Sequence, residues 1–197
     1  MSPRHPEFPV DPRFTQRWSP RAFTGKPLST SELMSLFEAA RWAPSASNTQ
    51  PWRFVYGLAG SPSFEAIFQT LVPFNRGWAH RASALMAVLS ASSTTAPGAT
   101  EAKPAPGHAF DTGAAWMSLA LQAHHMGWCA HAMGGFDKEA LRQALGVPDA
   151  FALHCVVAVG EQGDKAVLDE ALQAREAPNA RQPLSAMVCE GRFAFER

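Results

Sequence analysis

The first clear hydrophobic pattern in the chain predicts a helix followed by a strand. Apolar positions recur at i, i+3, i+4 and i+7 on one helical face, comprising Leu33, Leu36, Phe37 and Ala40. Ser29 and Glu32 have the spacing of a capping box, so we expect the helix to begin there. Pro44 ends it, because proline cannot continue a helical hydrogen-bond ladder. The aromatic and branched residues 52–58 then favour a buried strand.

The rest of the chain repeats this mixture of helices and strands. Periodicity and capping signals predict further helices at about residues 12–18, 64–71, 110–126 and 138–145. Apolar runs predict strands at residues 84–89, 128–133 and 151–159. Helices interleave with about four strands without strict alternation, and no G-x-G-x-x-G follows the first strand. The pattern therefore favours an α+β layered domain over a dinucleotide-binding fold.

The helix predicted at residues 110–126 is apolar almost all round. One side carries Phe110, Ala114, Met117 and Leu121, and most other positions are also apolar. Such a helix must be buried from several directions, which a small domain achieves poorly alone. We therefore predict that a subunit partner covers one side of it.

The length of 197 residues indicates one domain, residues 1–197. Residues 1–10 contain three prolines and are predicted to form a loose arm. Residues 92–107, rich in Ser, Thr, Ala, Pro and Gly, are predicted to be a flexible loop, either an inert linker or a lid over a pocket. Residues 180–197 are predicted to be an extended tail.

Charge and cysteine usage exclude several classes. Lys plus Arg and Asp plus Glu each number 17, so no broad basic surface for nucleic acid is expected. Cys129, Cys155 and Cys189 form no C-x-x-C pair, which argues against a disulfide framework and fits a reducing cytoplasm. No apolar segment is long enough for a membrane span, and the first residues lack a signal peptide's apolar run. A cytoplasmic protein with no membrane partner is expected.

The loop between the first predicted helix and strand is rich in small polar side chains. Hydroxyls and amides occupy five of its positions, namely Ser45, Ser47, Asn48, Thr49 and Gln50. Such a loop, braced by prolines and a tryptophan, suits the presentation of polar contacts to a ligand. A solvated turn, in which these side chains bond their own backbone, explains the composition equally well.

Residues 44–52 resemble the Pro-Ser-x-x-Asn-x-Gln-Pro-Trp signature of the FMN-dependent nitroreductase family. Residues 17–23, Arg-Trp-Ser-Pro-Arg-Ala-Phe, resemble the same family's N-terminal Arg-x-Ser-x-Arg/Lys-x-Phe motif. Three further segments, which contain Asn75, the pair Gly134 and Gly135, and Arg181, match in the expected order. The resemblance therefore runs from about residue 14 to about residue 190. It implies a nitroreductase fold, with a mixed sheet flanked by helices, in an intertwined homodimer.

The resemblance also implies which residues hold FMN. Arg17 and Ser19, with Trp18 between them, match the phosphate contacts, and Arg181 matches a C-terminal basic residue that meets the same phosphate. Guanidinium groups suit this task because they make planar, bidentate bonds to phosphate oxygens. Arg21 matches the basic residue near the pyrimidine edge of the flavin, where positive charge would stabilise the anionic reduced ring.

Other matched positions lie around the flavin ring. Asn75 matches an amide that bonds the pyrimidine edge, and Gly134 and Gly135 match a pair whose backbone N–H groups approach N5. Trp78 stands where relatives carry a second lysine, which leaves Arg21 as the main positive group near the ring. Some relatives have an acidic residue at the position of Gly134, so the N5 side is expected to be more open here.

The partner subunit is expected to complete the site. The resemblance assigns it four cofactor-binding residues from the 44–52 signature: Pro44, Ser45, Ala46 and Asn48. Relatives often carry a hydroxyl where Ala46 stands, so one contact is expected to be lost. Gln50 and Trp52 are interpreted as bracing the loop.

By this resemblance the protein is an FMN-dependent oxidoreductase. It would move hydride or electrons from transiently bound NAD(P)H to a small electron-poor acceptor (nitroaromatic, quinone or enal) by a ping-pong mechanism, with no catalytic side chain beyond the flavin. Another chemistry of the same fold (flavin destruction, dehalogenation or heterocycle oxidation) and a non-catalytic flavin-binding protein are the alternatives.

No metal is expected, because the adjacent His124 and His125 diverge by about 100° on a helix.

Overall fold

The computed structural model describes residues 4–95, 98 and 100–195. The α-helices within these residues are α1 (Pro12–Gln16), α2 (Thr30–Arg41), α3 (Pro62–Phe68), α4 (Pro73–Ala79), α5 (His108–His125), α6 (Lys138–Leu145) and α7 (Glu170–Gln173). The strands are β1 (Trp52–Leu58), β2 (Ala84–Ala91), β3 (Ser93–Thr94), β4 (Lys103–Pro104), β5 (Cys129–Met133) and β6 (Phe151–Gly160). None of the described helices has the length and apolar character needed to cross a membrane.

Four strands form the main sheet in the order β1-β2-β6-β5. Each pairing in it is antiparallel. The predicted α+β class and helix-flanked sheet are confirmed; where the resemblance implies a mixed sheet, the pairings within the described part of this chain are antiparallel. β2 is buried along almost its whole length, as its apolar run predicts. β1 is only half-buried, because it lies at the edge of the sheet.

Local sequence signals set several element boundaries. The Ser29 Oγ accepts a hydrogen bond from the Glu32 N–H, and the Glu32 carboxylate accepts one from the Ser29 N–H at 2.9 Å. This reciprocal pair is the predicted capping box. Asp137 caps α6 by accepting the Ala140 N–H at 3.0 Å. Gly146 ends that helix in the left-handed region, with φ of 62°, which glycine adopts without strain.

The sheet separates two hydrophobic clusters. One contains residues from β2, β6, α3 and α4, and the other packs α2 and α5 against the opposite face. On α5, Ala115, Leu119 and Ala123 are fully buried. Phe110 on the same helix is 85% exposed, and Met117 is only half-buried. The side of α5 that carries Phe110 is therefore left open by this chain.

The segments predicted to be irregular contain some order. Ser93 and Thr94 pair with Pro104 and Lys103 in a short antiparallel ladder within residues 92–107, of which residues 96, 97 and 99 lie outside the described part. In the tail, residues 184–186 form a 3-10 turn, and residues 196 and 197 are outside the description. Residues 4–10 have no helix or strand, and residues 1–3 of the arm are likewise not described.

The described part of the arm is bound to the tail. The Glu7 carboxylate accepts the Leu184 N–H at 2.8 Å. The Arg4 guanidinium donates to the carbonyl of Asn179 at 2.8 Å and to that of Arg17 at 2.6 Å. One side chain thus joins the arm, the end of α1 and the start of the tail, three segments that are distant in sequence.

Candidate functional site

The N-terminal Arg-x-Ser motif begins where α1 ends. Arg17 is the residue after the helix, and its backbone is extended (φ −61°, ψ 126°), so the chain leaves the helix axis there. The Arg17 Nη1 donates to the Ser19 Oγ at 3.3 Å. The hydroxyl and the guanidinium therefore lie side by side, so that both can donate hydrogen bonds to one oxyanion.

Three arginines that are far apart in sequence meet at this point. Burial, followed by the nearby Arg181, lowers the pKa of the Arg17 guanidinium. Burial, Arg181 and Arg17 likewise lower the pKa of Arg4. Guanidinium groups remain charged at neutral pH even so. Like charges held close to each other repel, and a bound anion relieves that repulsion.

These side chains line one cleft of about 360 Å³. Five arginines contribute to it: Arg4, Arg17, Arg21, Arg175 and Arg181. The remaining lining residues are Trp18, Ser19, His131, Ala177 and Asn179. The fold thus brings together five predicted residues of the site, Arg17, Trp18, Ser19, Arg21 and Arg181. The cleft has the size and charge to take a phosphate group with part of the molecule attached to it.

Sequence reasoning missed half of the residues in this cleft. Arg4 lies in the proline-rich arm and Arg175 follows α7, and neither position belongs to a recognisable motif. Hydrogen bonds from Arg4 to the carbonyls of Asn179 and Arg17 hold its side chain at the cleft. Arg175 is held near the N-terminal motif because the next residue, Glu176, accepts the Arg21 N–H.

Arg21 is paired with a buried carboxylate. The Glu176 side chain is 2% exposed, and its Oε2 lies 3.7 Å from the Arg21 Nη1. The Glu176 Oε1 accepts the backbone N–H groups of Arg21 at 2.6 Å and of Ala22 at 2.8 Å. Glu176 is another residue that the motifs did not indicate, and it lies 155 positions from its partner.

His131 forms the inner wall of the cleft. Its Nδ1 lies 2.9 Å from the Pro20 carbonyl, so that nitrogen carries the proton and donates. Burial lowers the pKa of His131, which keeps the ring neutral near pH 7. The ring packs against Trp78, with centroids 4.7 Å apart. Trp78 is 1% exposed, so it is a core residue.

Asn75 and the glycine pair meet at a second location. The Asn75 Nδ2 donates to the Gly135 carbonyl at 2.9 Å, and the Val72 N–H donates to the same oxygen at 3.1 Å. A Cβ added at Gly135 would lie 2.8 Å from the Asn75 Nδ2, whereas one at Gly134 would meet nothing within 4 Å. A side chain at Gly135 would therefore have to displace Asn75 and Val72, whereas Gly134 faces open space.

The 44–52 signature forms a tightly bonded loop. Ser47, Asn48 and Gln50 all have φ between 48° and 55°, a strained region for residues with a side chain. The Ser45 Oγ accepts the Gln50 N–H at 3.0 Å, and the Gln50 side chain donates to the Asn48 carbonyl at 3.0 Å. Gln50 therefore braces the loop. Strain of this kind persists where the surroundings hold it in place, often at ligand sites.

This loop does not line the arginine cleft of its own chain. Pro44, Ser45, Ala46 and Asn48 are all absent from the lining described above. The loop is instead tied to α5, since the buried Asp111 carboxylate accepts the Ala46 N–H at 3.0 Å. Asp111 is a further residue that sequence reasoning missed.

Among the described residues, no three or more His, Cys, Asp or Glu side chains are grouped in a way that could hold a metal ion. Cys129 lies on β5 and Cys155 on β6, and burial raises the pKa of each thiol to about 11. Both are therefore protonated at neutral pH and poorly suited to act as nucleophiles.

This chain is similar to several known proteins. A model of the nitroreductase family matches residues 14–56 and 61–161. The crystal structure of an oxidoreductase containing FMN is 46% identical, covers 98% of this chain and 97% of its own, and superposes with a TM-score of 0.94. A 15.4 kDa protein of Mycolicibacterium smegmatis is 37% identical over 141 residues, which are 70% of this chain and 91% of that protein.

A third relative matches over a shorter region. A protein of Rhodopseudomonas palustris with the provisional name NADH dehydrogenase/NAD(P)H nitroreductase is 36% identical over 56 residues, 28% of this chain and 29% of that protein. The family model covers most of the chain, and its first matched segment contains both N-terminal motifs. This chain belongs to the nitroreductase family.

Proposed function

We propose that this protein is an FMN-dependent oxidoreductase that works as a homodimer. In this proposal it passes hydride or electrons from NAD(P)H to a small electron-poor acceptor such as a nitroaromatic, a quinone or an enal. The observation that carries the proposal is the convergence of Arg4, Arg17 and Arg181 beside Ser19 in one cleft. Such a cluster favours a dianionic phosphate monoester, which FMN carries and riboflavin lacks.

The groups in the cleft fit the phosphate end of FMN. The Arg17 Nη1 and the Ser19 Oγ are only 3.3 Å apart, so both can reach one phosphate. Arg181 donates to the carbonyls of Asn179 and Ala180 through Nη1, which leaves its remaining donors for a ligand. Burial and then the nearby Arg181 lower the pKa of Arg17, and two negative charges would relieve the repulsion between these guanidinium groups.

The ring end of FMN has candidate partners as well. The Arg21 Nε is buried and has no hydrogen-bond partner among the described residues. A buried donor left unpaired is costly, so an acceptor from a ligand would stabilise it. Gly134 faces open space, which suits the close approach of a planar ring to the backbone. In the proposal, Arg21 supplies positive charge near the ring and the 134–135 turn lies near N5.

The proposed homodimer explains where the 44–52 signature would act. The loop is held rigidly by Asp111 but lies outside the arginine cleft of its own chain. A second copy packed on the open side of α5 would cover Phe110, which is 85% exposed. The Pro44–Asn48 loop of that second copy would then contact the cofactor bound by the first chain.

Bound FMN would supply the redox chemistry, accepting a hydride from NAD(P)H and later giving it to the acceptor that takes the nicotinamide's place. The protein's part is to bind the phosphate, hold the charge of Arg21 near the ring and keep one face accessible. No acid or base side chain is needed, since solvent supplies the protons. The name of the Rhodopseudomonas relative supports NAD(P)H as the donor.

A spectroscopic experiment tests this proposal. The purified protein should be yellow, with a flavin absorption band, and apoprotein should quench the fluorescence of added FMN much more strongly than that of riboflavin. Anaerobic NADH or NADPH should bleach the band, and an electron-poor acceptor should restore it. A colourless protein that ignores added FMN would refute the proposal. Bound flavin that neither nicotinamide reduces would instead favour a flavin carrier or another flavin chemistry.

A further inference from the structure

Glu176 is a buried carboxylate with no role in the proposal so far. It follows α7, and its side chain is 2% exposed. Its Oε1 accepts the N–H groups of Arg21 and Ala22, at 2.6 Å and 2.8 Å. Two charge-assisted hydrogen bonds to consecutive backbone groups fix the position of the chain at Arg21.

The same carboxylate faces the Arg21 guanidinium. The Glu176 Oε2 lies 3.7 Å from the Arg21 Nη1, and the Arg21 side chain is 17% exposed. Neither the Glu176 Oε2 nor the Arg21 Nε has a hydrogen-bond partner among the described residues. The two groups are thus close enough to offset each other's charge. Each also keeps one polar atom that makes no hydrogen bond within the described residues.

This pair changes the charge that the cleft presents. Three of the other lining arginines, Arg17, Arg175 and Arg181, have no ion pair with a carboxylate among the described residues, whereas Arg21 does. The part of the cleft near Arg17 and Arg181 is therefore positive, and the part near Arg21 is close to neutral. Charges a few ångströms apart in a partly buried site interact much more strongly than they do in water.

We propose that Glu176 is a positioning residue that holds Arg21 against the flavin ring and limits how strongly the site stabilises the reduced, anionic flavin. This inference rests on the proposed function. Glu176 keeps Arg21 in place through the backbone and cancels part of its charge across the 3.7 Å gap. Removing the negative charge while keeping an acceptor oxygen should therefore raise the site's preference for reduced over oxidised flavin.

Glu176→Gln tests this, because glutamine has the same shape and can still accept the two N–H groups. Glu170→Gln is the matched control, since it removes a carboxylate that is exposed and lies in the same C-terminal segment. The measurement is the midpoint potential of the flavin bound to the holoprotein, together with the dissociation constant of apoprotein for oxidised FMN. We expect the preference for reduced flavin to rise about tenfold in Glu176→Gln, which is about 30 mV for a two-electron couple.

A series of charge-neutralising variants separates the electrostatic role of Glu176 from a structural one. Arg21→Gln should lower the potential, and the double variant Arg21→Gln/Glu176→Gln should return it close to that of the wild type. A purely structural Glu176 would change the unfolding midpoint without this ordering. If Glu176→Gln does not fold, the comparison of the double variant with Arg21→Gln alone decides the question: a higher potential in the double variant supports the inference, and equal potentials overturn it.

The outcomes also distinguish this inference from the proposed function. Wild-type apoprotein that binds no FMN refutes the proposed function itself. Wild-type protein that binds FMN, with a Glu176→Gln potential equal to that of Glu170→Gln, overturns only the role of Glu176.

Discussion

The Ala46 N–H donates a hydrogen bond of 3.0 Å to the carboxylate of Asp111, which is 6% exposed and lies 65 residues further along the chain. This bond fastens the strained loop of the 44–52 signature to the first turn of α5. The loop's left-handed residues cost conformational energy, which this anchoring offsets.

Asp111→Ala should therefore destabilise the protein. The change removes the acceptor of the partly buried hydrogen bond from the Ala46 N–H, and hydrogen bonds to charged groups contribute about 1.5–3 kcal/mol to the free energy of unfolding. Chemical denaturation of the apoprotein measures this. Asp111→Asn keeps an acceptor oxygen and should lose less, while the exposed Asp149→Ala should change stability by under about 0.5 kcal/mol. Equal stability of Asp111→Ala and Asp149→Ala would contradict the anchoring role.

Arg17→Ala should weaken FMN binding. Hydrogen bonds to charged groups contribute about 1.5–3 kcal/mol, which corresponds to roughly a 10- to 100-fold higher dissociation constant. Fluorescence titration of apoprotein with FMN measures the change, and the same titration at higher salt should show a smaller salt dependence in the variant. Arg13→Ala, on the exposed face of α1, is the control and should bind FMN as the wild type does. Unchanged affinity in Arg17→Ala would place the phosphate elsewhere.

The two adjacent glycines should respond differently to alanine. A Cβ at Gly135 would lie 2.8 Å from the Asn75 Nδ2 and 2.9 Å from the Val72 Cγ2. Overpacking of this kind costs about 1–3 kcal/mol, so Gly135→Ala should lower the unfolding midpoint. Gly134→Ala should leave the apoprotein's stability nearly unchanged, because its Cβ meets nothing within 4 Å. If the flavin approaches this turn as proposed, Gly134→Ala should nevertheless weaken FMN binding.

Local features of this fold were predictable, and long-range partnerships were not. The Ser29–Glu32 capping box joins residues three positions apart, so it can be recognised from the local sequence pattern. The Arg21–Glu176 pair joins residues 155 positions apart, and no local sequence pattern around either residue indicates its partner. Resemblance to two separate family motifs predicted that Arg17, Ser19 and Arg181 share one site, and all three line one cleft. Arg4 and Asp111 escaped prediction because their roles depend on the packing of the arm and of α5.

Acid should destabilise the folded protein through the half-buried His154. In β6, Cys155 faces Val88 and Leu153 faces Leu89, so His154 is an extra, bulged residue between them. Its Nε2 lies 2.6 Å from the buried Ser90 Oγ, which also lies 2.6 Å from the His108 Nδ1. Burial, then His108, lowers the pKa of His154 below its ordinary value of 6.5.

The direction of the effect follows from that lowered pKa. Below about pH 6.5 the unfolded chain binds a proton that the folded His154 does not, so this contribution to stability is complete at neutral pH and is lost as the pH falls through the folded pKa. His154→Gln should therefore flatten the dependence of unfolding free energy on pH between 7 and 5, and the exposed His80→Gln serves as the control. Identical slopes in wild type and His154→Gln would show that His154 does not contribute.

Phe110→Asp should shift the proposed dimer towards monomer. Phe110 is 85% exposed at the open side of α5, and an aromatic side chain at the centre of an interface often contributes about 2 kcal/mol or more. The dimer dissociation constant should rise by about 30-fold or more, which sedimentation velocity over a range of concentrations measures. Val167→Asp, which alters a less exposed apolar side chain outside α5, should leave the assembly unchanged. Because the Pro44–Asn48 loop would reach the cofactor only across that interface, the Phe110→Asp monomer should also bind FMN more weakly. A variant that remains dimeric with unaltered FMN affinity would rule out this face of α5 as the subunit interface.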